Sequence, residues 1–491
     1  MKSIHSVVLL GACLAASPIA SAVRIRLLAV ACLIIVLGGC ASLAPDGGFE
    51  RVRSAVKERS AVEPRWARND HDAASIREEV KRLLSGGPVA ADAVVQIALM
   101  NNPGLQATYA DVGIADADVV QAGRLPNPGF SYSRLRRADE LEIGRAFIFD
   151  VLGILTMPLR TKLERQRFES TRTRVAANIV SVAADTRRAW LRAVAAQESA
   201  KYSEQVKDAA EASAELARRM AAAGNFSKLD QTREQMFYAE ATAQLARVRQ
   251  AALSERERLT QLMGLSGQDI RFALPDRLPE LPDTPREAGE LESAALKQRL
   301  DVQAGMQDAQ NLASSLGLTR ATGFVSVLEV AYERNSETGK ARQTGYDIEL
   351  RLPIFDWGTA RVARAELTYM QAVNRAADVT LRARSEVRES YSAYRTAFDL
   401  ARHYREEVVP LRRRISEENV LRYNGMLISV FELLSDARAQ IAAVNSYIET
   451  LRDFWIAETN LQLALTGTSP GPANNRPGST STAAAASPAP H

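Results

Sequence analysis

From Thr171 to Ala223 the chain runs 53 residues without a glycine or a proline. Alanine and arginine recur through the stretch, and both lose little side-chain entropy in a helix. At ~1.5 Å per residue such a helix is about 80 Å long, far beyond the few turns of an average globular helix. Asn225 to Met263 continues in the same manner, and Thr359 to Asn424 with Met426 to Thr466 repeats the arrangement. Pro410 interrupts the third arm and predicts a kink or a helix junction there. Tyr202, Val206, Ala209, Ser213, Leu216 and Met220 follow spacings of four and three in alternation, the pattern of a coiled-coil seam with one polar member. The small Ala209 and Ser213 predict close helix approach. Taken alone, these helices fit a soluble coiled-coil spacer.

Composition narrows the classes. Apolar residues make up 46% of the 491, enough to exclude a wholly disordered chain. Lys and Arg number 62 against 58 Asp and Glu, a net charge of +4, which argues against a dedicated nucleic-acid binder.

The N-terminus reads as export signal, residues 1–39, with two candidates in it. Lys2, an apolar stretch and Ala20-Ser21-Ala22 make the first. Arg24, Arg26, apolar Leu27 to Val36 and Leu37-Gly38-Gly39-Cys40 make the second. Thirteen residues, Leu27 to Gly39, are too short for a bilayer span of ~20. The last tetrapeptide resembles a bacterial lipobox, which implies a covalent lipid on Cys40 and no other cofactor. Ala41 is compatible with outer-membrane delivery, and Val23 is an alternative start. Removing residues 1–39 removes three cations and no acids, leaving 59 against 58. Cys13 and Cys32 leave with them, so the mature chain forms no internal disulfide. No later segment offers the apolar run of a membrane helix.

Landmarks recur at a nearly constant offset. Leu99 to Ala107 resembles Leu296 to Ala304 at 197 residues, and Met157-Pro158-Leu159 resembles Leu352-Pro353-Ile354 at 195. Gly224 matches Gly425 at 201, and Met263 to Gly267 matches Leu463 to Gly467 at 200. The chain therefore reads as a tandem duplication. A lipidated segment, 40–87, precedes the first repeat, 88–267, with a β-hairpin near 127–157 and a helical hairpin near 165–264. A Pro-rich connector, 268–286, follows. The second repeat, 287–467, carries a β-hairpin near 322–353 and a helical hairpin near 358–466. Residues 468–491 read as a disordered tail. Each repeat opens with a helix, near 88–122 and 287–316.

The β segments decide against a plain spacer. Tyr346, Ile348, Leu350 and Leu352 alternate with Asp347, Glu349 and Arg351. Phe130 and Tyr132 alternate with Ser131 and Ser133; Phe147 to Val151 and Phe324 to Tyr332 are less regular. Polar turns are expected at Arg136 to Glu142 and Arg334 to Gly345. A membrane barrel places such an apolar face on lipid and the charged face in the lumen, although a soluble sheet with one solvated face shows the same pattern. Four strands cannot close a barrel, and an open edge in lipid is forbidden, so strands in lipid require other copies of the chain.

Asn102-Pro103-x-Leu105, the repeated hairpin, the Met-Pro and Leu-Pro strand exits and the glycines at 224 and 425 together resemble the TolC-like outer-membrane efflux protein family over about residues 88–467. The lipobox points to its lipoprotein branch, usually paired with resistance–nodulation–division pumps. The resemblance implies a mainly α fold with a small transmembrane β part: a homotrimer, a 12-stranded barrel and an α-helical barrel continuing it through the periplasm. It implies an outer-membrane channel of a tripartite export system in a Gram-negative bacterium, partnered by a periplasmic adaptor and an inner-membrane pump and embedded in outer-membrane lipid. The implied adaptor-contacting tip comprises Gly224, Asn225, Phe226, Ser227 and Asp230 in one repeat and Asn424, Gly425, Met426 and Ser429 in the other. In the second copy Phe431 stands where the family has an acid, and Leu434 replaces another. Glu432 and Asp436 lie one or two positions out of register and are candidates for polar residues at the tunnel entrance. Both glycines are also explained by left-handed turns between helices.

No catalytic constellation is present. The mature chain holds only His71, His403 and His491, without paired zinc spacing. Gly339-Lys340 ends like a phosphate loop, but position 334 is Arg. Arg412-Arg413-Arg414 fits a solvated helix face. The expectation is a passive conduit, not an enzyme and not a metal-holding protein. Its cargo, whether drug, metal ion or other small molecule, is not written in the sequence. The competing class is a lipid-anchored periplasmic adaptor with one helical hairpin, which two hairpins and four strands disfavour.

Overall fold

A computed structural model describes residues 44–60, 62–137, 139–287, 289–321, 327–351 and 355–470. Cys40, both signal segments, Leu352-Pro353-Ile354, residues 322–326 and all but the start of the expected tail lie outside the described residues. The elements in order are α1 (Glu50–Ser60), α2 (Asp70–Ser85), α3 (Ala91–Asn101), α4 (Pro103–Ala122), β1 (Gly129–Arg137), β2 (Glu140–Asp150), α5 (Val151–Ala222), α6 (Lys228–Met263), α7 (Leu291–Gln298), α8 (Leu300–Ala321), β3 (Leu328–Glu337), β4 (Gln343–Leu350), α9 (Thr359–His403), α10 (Val409–Asn424) and α11 (Val430–Thr466). A short helix–long helix–strand–strand–long helix–helix order thus occurs twice. No described helix is long and apolar enough to cross a membrane.

The chain divides into two compact units. The first holds residues 117–162 and 327–351 and contains one antiparallel sheet of strand order β1-β2-β3-β4. The turns are tighter than the sequence suggests: β2 begins at Glu140 and β3 runs on to Glu337. The expected strand exit at Met157-Pro158 is also corrected. Helix α5 begins at Val151, where Asp150 Oδ1 accepts the Gly153 N–H at 2.7 Å, and Pro158 lies inside it. The hydroxyls of Thr156 and Thr161 bond the Leu152 and Met157 carbonyls around that proline, at 2.8 Å each.

The second unit holds the helices. Its core joins Ile97 and Met100 of α3, Trp190 and Val194 of α5, Leu259 and Met263 of α6, Val387 and Phe398 of α9, and Phe454 and Leu461 of α11. The connector enters the same core through Phe272, Leu274, Leu278 and Leu281. Its prolines prevent helix formation, so its carbonyls need partners from outside. Trp455 Nε1 donates to Pro279 O at 3.0 Å, Arg405 Nη1 to Leu281 O at 2.9 Å and Gln197 Nε2 to Pro275 O at 3.2 Å.

The seam of α5 differs from the expected one. Ser203, Ala210 and Ala217 are the buried line, while Ala209 and Leu216 are exposed. The small side chains face the neighbouring helix because they let the backbones approach. The third arm breaks as its proline demands: a π-helical turn, Tyr404–Val408, precedes α10, with Pro410 in its first turn.

Each helical half is fastened at a break between two helices. Between α3 and α4, Asn101 Nδ2 donates to Gly264 O and Asn102 Nδ2 to Leu262 O, both at 2.8 Å, at the end of α6. Between α7 and α8, buried Arg299 reaches Ala464 O at 3.4 Å, and the Leu300 N–H bonds Gly467 O at 3.1 Å. Arg299 also contacts Asp301 at 2.6 Å and Glu386 at 2.9 Å. Burial alone would lower its pKa, but the two carboxylates outweigh that and hold it above the ordinary value. Arg299→Ala leaves both acids uncompensated and is expected to cost about 3–5 kcal/mol, read as a lowered unfolding midpoint of the purified protein.

Candidate functional site

Two regions of unusual surface stand out, the sheet and the tips of the two helical hairpins. In the sheet, register places Phe130, Phe147, Tyr332 and Tyr346 in one row across all four strands. Phe130 packs on Phe147 with ring centroids 5.1 Å apart, and Tyr332 on Tyr346 at 5.6 Å. Away from the turns the next rows on that face are Phe149, Val330 and Ile348, then Leu328 and Leu350. Toward the turns the next row is Tyr132, Arg145, Arg334 and Thr344. This apolar face is the open one: Phe147 is 49% exposed and Tyr346 79%. The alternation expected for Tyr346, Ile348 and Leu350 is present.

The opposite face is less exposed and carries small residues, Ser131, Ser133, Gly144, Ala146, Ala331 and Gly345, together with acids. Asp150, Glu329 and Glu349 stand in one row, each directly opposite the next, and Glu142 stands opposite Glu337. Like charges in direct opposition weaken a strand pair. Glu349 is relieved in part by Arg351 at 3.2 Å.

The first tip joins α5 to α6. Gly224 is left-handed at φ +81°, its N–H bonds Ala221 O at 3.1 Å, and the Asn225 N–H bonds Met220 O at 2.9 Å. This is a Schellman closure. Ser227 then caps α6: its Oγ accepts the Asp230 N–H at 3.1 Å and donates to Asp230 Oδ2 at 2.6 Å. Asn225 is exposed and Phe226 half-buried. Just before the tip, Glu215 accepts hydrogen bonds from Arg218 and Arg219, which hold its carboxyl down to about 2.

The second tip uses the same closure one residue later. Gly425 has φ −81°, and the left-handed residue is Met426 at φ +57°. The Met426 N–H bonds Tyr423 O at 2.9 Å and the Leu427 N–H bonds Arg422 O at 2.8 Å. Ser429 Oγ accepts the Glu432 N–H at 3.3 Å. The left-handed role expected of Gly425 is therefore corrected. So is the register: Gly224, Ser227, Asp230 and Glu234 occupy the places of Met426, Ser429, Glu432 and Asp436. In that register Phe431 and Leu434 stand at the places of Leu229 and Thr232 of the first tip. Asn424, Met426 and Leu427 are exposed, as is Glu432.

Two turns beyond each capping serine the acids are buried. Glu234 is 1% exposed and Asp436 8%. Ser213 Oγ donates to Glu234 Oε2 at 2.9 Å, and Arg438 lies 3.8 Å from Glu234 Oε1. The Arg438 guanidinium also lies 4.1 Å from the centre of the Phe237 ring. Asp436 thus faces helix packing within the chain, with one carboxylate oxygen lacking a hydrogen-bond partner. The signal for Glu234 in the sequence is its position, one helical turn after Asp230. No group of residues that could hold a metal ion occurs among the described residues.

Comparison with known structures decides the fold. The CmeC outer membrane channel of Campylobacter jejuni superposes with a TM-score of 0.67 at 16% identity, covering 84% of this chain and 90% of that one. The fold is that of the TolC-like outer-membrane efflux channels. CusC, which forms a transmembrane channel, matches this efflux-channel fold with a TM-score of 0.64 at 16% identity, over 79% of this chain and 94% of CusC. In sequence, the cobalt-zinc-cadmium resistance protein CzcC of Cupriavidus metallidurans is 25% identical over 281 residues, 55% of this chain. The chain spans 65% of the length of that relative. No family model matches.

The corrected tip register generates a prediction. Gly224→Ala imposes a side chain on a left-handed residue and is expected to cost about 1 kcal/mol locally, whereas Met426→Gly is expected to gain a similar amount. Hydrogen exchange of the tip amides should therefore speed up in the first variant and slow in the second.

Proposed function

We propose that this protein is the outer-membrane channel of a tripartite export system, a passive duct made by three copies of the chain. The observation that carries the proposal is the sheet: its exposed face is apolar and aromatic, and β1 and β4 each have an unpaired edge. In lipid neither edge can stay open, and three four-stranded sheets would close a barrel of 12. The twice-used element order supports a tandem duplication, and the two exposed hairpin tips suit a periplasmic adaptor that links the duct to an inner-membrane pump. The lipobox at Cys40 supports a lipid anchor in the outer membrane.

The acidic face would then line the barrel. Three copies of the row Asp150, Glu329 and Glu349 would make a negative belt, which favours cations over anions in transit. That agrees with metal ions as cargo, the class named for CzcC, without tight binding of any ion.

Imaging of the detergent-extracted protein tests the assembly. A threefold particle is the expected result, and a monomer in the soluble fraction would sink the proposal. In planar bilayers under a potassium chloride gradient, the channel is expected to be cation-selective. Glu329→Gln with Glu349→Gln is expected to reduce the reversal potential by about half. An unchanged potential would remove the cation preference and leave the duct. Loss of outer-membrane retention in Cys40→Ala checks the anchor.

A further inference from the structure

Charge on the sheet is sorted by face. Every Asp and Glu of the described strand residues falls on the face that carries Glu329 and Glu349, and none on the face that carries the aromatic row. Arg137 lies on the acidic face and Arg136, next to the turn, on the aromatic one. Arg134, Arg145 and Arg334 lie on the aromatic face as well. Arg145 and Arg334 are direct partners across β2 and β3, and Arg134 is diagonal to Arg145 across β1 and β2. All three are exposed, and none of them forms an ion pair with a carboxylate among the described residues.

Two guanidiniums in direct opposition repel each other, and nothing on their own face neutralises them. The cluster begins one register row beyond the aromatic row, on the side of the turns. An apolar band, an aromatic row and then arginines is the order met on passing from hydrocarbon through the interface to the headgroups. The turns lie at the strand ends opposite those from which the chain continues into its helices. With the helices in the periplasm, the arginines stand at the outer leaflet.

We propose that Arg134, Arg145 and Arg334 form a binding surface for the phosphate groups of an anionic glycolipid of the outer leaflet. The inference rests on the reading of this sheet as part of a membrane barrel. Each guanidinium offers a planar fork suited to two phosphate oxygens, and the aromatic row beneath would receive the upper part of the acyl chains. Three copies of the chain would repeat the surface around the barrel. The role of the lipid would be to neutralise a row that otherwise weakens the β2–β3 pair, so the barrel and its lipid would stabilise each other.

The test uses the full-length protein purified in detergent. Bis-phosphorylated lipid A and its dephosphorylated form are each added, and bound lipid is counted by native mass spectrometry, with particle symmetry imaged on the same sample. The wild type is expected to retain the phosphorylated lipid. The triple Gln variant, R134Q/R145Q/R334Q, is expected to bind it on the order of 100-fold more weakly. The triple Lys variant should keep most of the affinity, which separates charge from misfolding. The dephosphorylated lipid should bind wild type no better than the phosphorylated lipid binds the Gln variant. Equal retention of the phosphorylated lipid by wild type and a well-formed threefold Gln variant would overturn the inference and leave the duct standing. Full displacement of the lipid by equimolar inorganic phosphate would overturn it too, because the surface would then recognise free anion. A particle without a barrel would overturn both readings together.

Discussion

The hydrogen-bonding edges of the four-stranded sheet are the constraint on which the rest of the structure turns. Among the described residues, strands β1 and β4 each leave a row of backbone N–H and C=O groups without strand partners. A soluble sheet can leave such groups to water and bury its apolar face under helices. Here the apolar, aromatic face is the exposed one. Apolar surface and unpaired backbone cannot both be satisfied within one chain, since water serves the edges and lipid serves the face. Closure with further copies would satisfy both, so the proposed assembly rests on the sheet and not on the helices.

The helical unit solves a different problem. Long helices pack along narrow lines and give little three-dimensional closure by themselves. Closure comes from the breaks: Asn101 and Asn102 hold the end of α6, and Arg299 with the Leu300 amide holds the end of α11. The two halves use unlike residues for the same task, one neutral and one a buried charge with two carboxylates. The extended connector completes the core because its prolines free it from helix, letting four apolar side chains point inward while arginine, glutamine and tryptophan satisfy its carbonyls.

The long helices, the strand alternation and the proline break before α10 were legible because each rests on a local rule: missing breakers, period two, a missing N–H. The finer geometry was not. The seam of α5 is set by which small side chains allow contact, so Ser203, Ala210 and Ala217 displace the larger residues that fit a heptad. Pro158 has the sequence signature of a strand exit, yet the Asp150 cap starts the helix before it. At the second tip the sequence offered Gly425 as the natural left-handed residue, and the chain placed Met426 there instead. That single choice moved the whole alignment by one position and hid the acid at Glu432. The reason lies in the cap that follows: Ser429 and Glu432 repeat Ser227 and Asp230 only when Met426 takes the turn.

Sheet and tips share a logic visible only once register is known. On the strands, alternation sends every acid to one face and four of the five arginines, with the aromatics, to the other, so two surfaces of largely opposite charge sit back to back on one layer. On the tips, the first acid after each turn sits in the first helical turn beside the capping serine and stays near solvent, while the second, a turn later, is drawn into packing. Glu234 is satisfied by Ser213 and approached by Arg438, whereas Asp436 keeps an unpartnered oxygen. A buried carboxylate oxygen without a donor carries a free-energy cost, and the two halves of the chain bear it unequally. That cost falls on the same hairpin that holds a non-glycine residue in the left-handed region, so both local departures from ideal helix-turn-helix chemistry lie at the second tip.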